Sequence, residues 1–181
     1  MKKKLTTVLA IVLVVALSVA GTYAYLTDKT DAVVNTFTVG NVNIDLTETT
    51  GNSYKMVPGT TIKKNPKVTV EADSEACWLF VKVVKSDNFD DFMTYDMANG
   101  WTALEGVDGV FYRQVAASDA NQVFPVLAND TVSVKSDVTK DMMDAIKEGT
   151  ATNPTLTFTA YACQTAGFEN KAAEAWAEVS K

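Results

Sequence analysis

The run Cys77-Trp78-Leu79-Phe80-Val81-Lys82-Val83-Val84, CWLFVKVV, decides the fold. It is too short for a buried helix and too rich in β-branched and aromatic residues, so it reads as a central strand. On its N-terminal side, Val68 and Val70 alternate with Lys67, Thr69 and Glu71, the pattern of a half-buried strand. Pro58-Gly59 before them suits the centre of a type II turn. Further back, apolar residues alternate from Asn35 to Glu48, but the phase changes between Val39 and Val42. Gly40-Asn41 stands at that change, where a β-bulge absorbs one residue and re-aims the side chains that follow.

On its C-terminal side, SDNFDDFMTYDMANG reads as a helical turn and a loop. Trp101–Leu104 and Val110–Val115 read as strands joined by the turn Glu105–Gly109, and Gln122–Leu127 and Thr131–Lys135 as two more split by Ala128-Asn129-Asp130. Asp137–Glu148 puts Val138, Met142, Met143 and Ile146 on one helical face, with Gly149 as the stop. Pro154 precedes a strand over Leu156–Gln164, and Asn170–Val179 has Ala172, Ala173, Trp176 and Val179 at helical spacing. Many strands and few helices imply an all-β fold: an antiparallel, jelly-roll-like β-sandwich. With no internal repeat or linker, residues 25–181 are expected to form a single domain.

Residues 1–24 read differently. Lys2, Lys3 and Lys4 precede the unbroken apolar run Val8–Leu17, and small residues follow it, the layout of a secretory signal peptide. The run is shorter than the roughly 20 residues a spanning helix needs, although a retained anchor is the alternative. The cut is expected between Ala24 and Tyr25; a cut after Ala20 is also chemically reasonable. Cleavage at Ala24 removes three basic residues and no acid, so the exported domain is more acidic than the whole chain at −6. Such a charge disfavours anionic membrane surfaces, and no membrane contact is expected after processing.

Composition narrows the chemistry. The 181 residues contain no His, so His triads, imidazole shuttles and His-ligated zinc are excluded. Arg113 is the sole arginine, which argues against a nucleic-acid partner. No catalytic residue, metal site or cofactor is expected. Asp87-Asn88-Phe89-Asp90-Asp91 lacks the spacing and glycine of an EF-hand loop, and reads as a solvated acidic loop with Phe89 and Phe92 turned inward. Glu71, Asp73 and Glu75 read as hairpin charges. Trp78, Trp101 and Trp176 could line a carbohydrate platform, but packing in a core or rim is the simpler reading. Ser133 to Ser136 is strand-like and offers no S-x-x-K elbow. Cys77 and Cys163 both fall in strands. Export permits a disulfide between them, which would close a long loop and add about 4 kcal/mol by the chain-entropy argument, and two free buried thiols are the alternative.

One string ties the leader to the first strands: Gly21-Thr22-Tyr23-Ala24-Tyr25-Leu26-Thr27-Asp28, then Asn35-Thr36-Phe37-Thr38-Val39-Gly40-Asn41-Val42. With the Pro58-Gly59 turn, Ala160-Tyr161-Ala162, Gly167-Phe168 and Ala175-Trp176, it resembles the TasA/camelysin family of exported Gram-positive proteins. The likeness is strongest over residues 1–85 and 154–181. It implies a jelly-roll sandwich, export through a SipW-like signal peptidase, and a place in the extracellular biofilm matrix or on the cell surface. It further implies a homopolymeric fibre held by donor-strand exchange, with Tyr25, Ala32, Val33 and Val34 as the candidate donor side chains. Chain termini are mobile unless tied down, and an extended segment can add to a neighbour's sheet edge. The rival functions are a non-fibrous adhesin or carbohydrate-binding sandwich and, against the absence of His, a camelysin-like metalloendopeptidase.

Overall fold

A computed structural model describes residues 40–181. The expected strand Asn35–Val39, the leader and the candidate donor residues lie outside the described residues.

Strand β4 (Cys77–Lys85) is the middle of the molecule. Its four-stranded sheet has the order β10-β4-β7-β6, with β6 at Thr102–Ala103, β7 at Val110–Val115 and β10 at Leu156–Gln164. A second layer holds β1 (Ile44–Thr47), β3 (Lys67–Val70) and β8 (Gln122–Pro125) in the order β1-β3-β8. A third small sheet has the order β2-β9-β5, built from β2 (Thr61–Lys63), β5 (Met93–Thr94) and β9 (Thr131–Val134). Every ladder is antiparallel. Helices are short: α1 (Phe89–Phe92), α2 (Lys140–Lys147) and α3 (Ala172–Val179), plus a 3-10 turn at Ala128–Asp130. The antiparallel all-β sandwich expected from the sequence is therefore the observed fold.

Side chains alternate across a strand, and β4 uses both of its faces. Cys77, Leu79, Val81 and Val83 point at Val68 and Val70 of β3, with Val115 and Val126 completing the inter-sheet core. Trp78 and Phe80 point the other way, into a second core capped by Ala175 and Trp176 of α3. Phe80 and Tyr161 lie 5.4 and 5.1 Å from the Trp176 ring, centroid to centroid. Each such aromatic pair adds about 0.5–1.5 kcal/mol beyond the area it buries. The Trp78 indole N–H donates to the Phe168 carbonyl at 2.9 Å, satisfying the one polar atom of a ring buried in this core. A third core gathers Phe89, Phe92 and Met93 with Leu127, Val132 and Val134, and α2 lays Met142, Met143 and Ile146 against it.

Local chemistry sets the element ends. Thr139 caps α2 by accepting a hydrogen bond from the Met142 N–H. At Pro58-Gly59 the Thr60 N–H closes the expected turn on the Val57 carbonyl. Gly109 must be glycine: it has φ +69°, and a Cβ there would drive into the Val83 carbonyl of β4.

The β4–β10 register settles the cysteines. Cys77 stands opposite Gln164, and Cys163 stands opposite Trp78. Directly opposed residues share a face and adjacent ones do not, so the two thiols project to opposite faces of one sheet. Both are free and buried. A disulfide needs Cβ vectors that converge, which this register denies without moving backbone. Burial, helped by the nearby Cys163, pushes the Cys77 thiol up to about 11, so the nucleophilic thiolate is scarce. Native protein is expected to react with less than one equivalent of Ellman's reagent within minutes and with two after unfolding. A native disulfide would instead yield thiols only after reduction.

Candidate functional site

The described residues hold no convergent catalytic constellation, and their most distinctive feature is a sheet edge beside a cleft. Strand β10 pairs with β4 on one side and has no ladder partner on the other among the described residues. It runs for nine residues, Leu156–Gln164, with no proline inside. The other edge strands are shorter: β1 and β8 have four residues, β2 has three, β5 and β6 have two, and β8 ends in Pro125, which has no N–H to donate. Beside the start of β10 a cleft of about 290 Å³ opens toward β2. Its floor is apolar, from Ile62, Phe89, Met93, Val132 and Leu156, and Tyr54 and Lys64 stand on its rim.

That rim is tied together by one ion pair. Lys64 Nζ lies 2.8 and 2.9 Å from the two Glu48 oxygens. The Thr50 and Tyr54 hydroxyls each donate to Glu48 Oε1 at 2.9 Å. Lys64 Nζ also sits 5.3 Å from the Tyr54 ring centroid and 5.6 Å from that of Phe158. Exposures are only 12% for Lys64 and 23% for Glu48, so this pair is better shielded than an ordinary surface salt bridge. Burial works to raise the Glu48 pKa, but the hydrogen bonds from Lys64, Thr50 and Tyr54 and the Lys64 charge outweigh it and hold the carboxyl below its ordinary value. A carboxylate so held is ionised at neutral pH and has no proton to give. The network is a latch joining the chain after β1 to the chain after β2, not an acid–base pair. Its members are 16 residues apart, and nothing in the local sequence marks them as partners.

The residues singled out from sequence scatter. Phe89 and Phe92 are buried as expected, while Asp90 pairs with Lys85. Asp73 adopts φ 61° in the turn before the Ser74–Ser118 bridge, and Glu75 N–H donates to the Asn41 carbonyl. Trp78 of β4 and Trp176 of α3 are buried in the core between the sheet and α3, whereas Trp101 packs against the opposite core, so the three tryptophans form no common platform. Ser133 sits within β9, paired with Thr61 and Thr94. The cleavage pair Ala24 and Tyr25 and the donor candidates Tyr25, Ala32, Val33 and Val34 lie outside the described residues.

These features define an antiparallel all-β sandwich with an open edge among the described residues. The family model described as camelysin metallo-endopeptidase matches residues 1–94, more than half of the chain, and the chain belongs to that family. No curated protein and no solved structure matches it. The family's description implies a metal, and the donors among the described residues do not fit one. There is no His anywhere in the sequence, and among the described residues no three Cys, Asp or Glu side chains converge. A catalytic zinc takes three protein ligands, usually with imidazole among them.

The latch carries a pH signature. The folded Glu48 pKa lies below the ordinary 4.5, so its stabilisation is whole above that value and is lost as the pH falls through the folded pKa. Glu48→Gln is expected to lower unfolding free energy by about 1–3 kcal/mol at pH 7, the scale of a charge-assisted hydrogen bond. The gap from wild type should narrow below pH 4. Urea midpoints at pH 7 and pH 3 measure it, and an equal gap at both pH values would contradict the latch.

Proposed function

We propose that the protein is a secreted structural subunit of an extracellular matrix filament and performs no catalysis. The observation that carries this reading is the nine-residue outer edge of β10, unpaired among the described residues and lying beside an apolar cleft. An exposed edge offers unpaired N–H and C=O groups, and an added strand satisfies them while alternate side chains enter pockets. Membership of a family of exported proteins, the signal-peptide layout of residues 1–24 and the acidic composition agree with this reading. The donor is the mature N-terminal segment of a second copy, with Tyr25, Ala32, Val33 and Val34 as its inserted side chains. A contact of this head-to-tail kind does not close on itself, so it propagates into a fibre. A SipW-like signal peptidase releases the segment during export, and the filament lies outside the cell. The donor set argues against the peptidase reading, and the scattered tryptophans give a carbohydrate platform no support.

Two measurements check it. Mass spectrometry of the exported protein is expected to give Tyr25 as its first residue; an intact Met1 or a start at Gly21 would contradict the processing. Deleting Tyr25–Val34 is expected to leave a folded monomer, seen by circular dichroism, that forms no filaments under the electron microscope. Fibres of unchanged repeat from the truncated protein would sink donor-strand exchange, and an unfolded truncation would put the segment inside its own sandwich.

A further inference from the structure

On the flank of the sandwich away from β10, the only arginine among 16 basic residues stands without a counterion among the described residues. Arg113 lies on β7 and makes none of the ion pairs among the described residues. Its guanidinium is stacked. The Cζ atom lies 4.1 Å from the Phe124 ring centroid and 5.5 Å from that of Trp101. Trp101 is itself fixed, since its indole N–H donates to the Pro125 carbonyl at 2.8 Å. Gly100, at φ +90°, completes the seat: a Cβ there would come within 3.0 Å of an Arg113 terminal nitrogen. The Arg113 Nε is buried with no acceptor.

This arrangement seats the guanidinium against the rings, closes Nε off from solvent and leaves the two Nη groups without protein acceptors among the described residues. Stacking uses the faces of the group, whereas hydrogen bonds use its edge. Lysine could supply the charge but not the planar fork, and this chain uses lysine at all its other basic positions. A rigid fork already held between two rings loses little further entropy on binding, and its geometric match is a carboxylate taken by two parallel hydrogen bonds. The chain holds 22 Asp and Glu and is net negative, so a second copy offers many carboxylates and just one competing guanidinium.

We propose that Arg113, stacked between Phe124 and Trp101, is a docking point for an Asp or Glu side chain of a second copy of this chain. The contact is separate from donor-strand exchange: it lies on the β7–β8 flank and uses no residue of the N-terminal segment.

Sedimentation velocity of the full exported protein tests it, over a concentration series in 50 and 500 mM NaCl. Wild type is expected to self-associate at low salt and at least tenfold more weakly at high salt. R113Q and R113K are each expected to lose at least tenfold of the low-salt association while keeping the wild-type near-ultraviolet circular dichroism. Failure of R113K as well as R113Q shows that the fork, not charge alone, is required. Wild-type association in both folded variants, or a wild type that is monomeric at every concentration, overturns the proposal. Polygalacturonate serves as a competing probe: micromolar binding to wild type that R113Q abolishes, with no Arg113-dependent self-association, assigns the site to acidic sugars and overturns the protein contact. Electron microscopy of the same samples keeps the two readings apart. Arg113-dependent association without fibres leaves this inference standing and removes the filament.

Discussion

A strand buried on both faces must be covered twice, and β4 imposes that demand on the whole molecule. Cys77, Leu79 and Val81 are fully buried on one side, and Phe80 is fully buried on the other. The first set is answered by β3 across the sandwich, the second by α3 lying on the outside of the sheet. Truncating Phe80 to alanine would therefore empty a core that a helix, not a second sheet, closes, at a cost of about 3–5 kcal/mol. Ala175, fully buried, is the small residue that lets α3 approach the sheet.

The same arrangement divides the molecule's work between its two flanks. One flank ends in β10, long and without a second ladder partner among the described residues, next to the cleft latched by Glu48 and Lys64. The other ends in the short β6 and the Pro125-bearing β8, and there the closing groups are side chains: Trp101 bridges to Pro125, and Arg113 lies between the rings. Main-chain donors and acceptors dominate one flank, a stacked cation the other.

How much of this was legible in the sequence follows from the range of each interaction. β10 was read from Leu156 to Gln164 with its observed bounds, because Pro154 punctuates its start and the alternation of Leu156, Phe158 and Ala160 is strictly local. The helix read from Asp137 to Glu148 begins later, at Lys140, since Thr139 takes the capping role and the residues before it form a turn. The strand read over Trp101–Leu104 shrinks to Thr102–Ala103 because Trp101 turns its indole toward Pro125. The relation of the cysteines was not legible. Both lie in correctly read strands, yet a one-residue difference in register decides whether they share a face. The Glu48–Lys64 latch and the Arg113 stack were hidden for a related reason: their members come from segments separated in sequence, and no local period carries that information.

The position of α3 has a consequence for how the chain comes into being. Trp78 finds its hydrogen-bond acceptor 90 residues further along, at Phe168, and its cover further still, at Trp176. A nascent chain that has emerged only through β9 displays CWLFVKVV with neither its outer neighbour β10 nor its lid. Contacts of such long sequence separation form late and slowly, and an uncovered apolar strand is a template for pairing with other chains. The topology thus makes the C-terminal helix the step that commits the chain to its folded form.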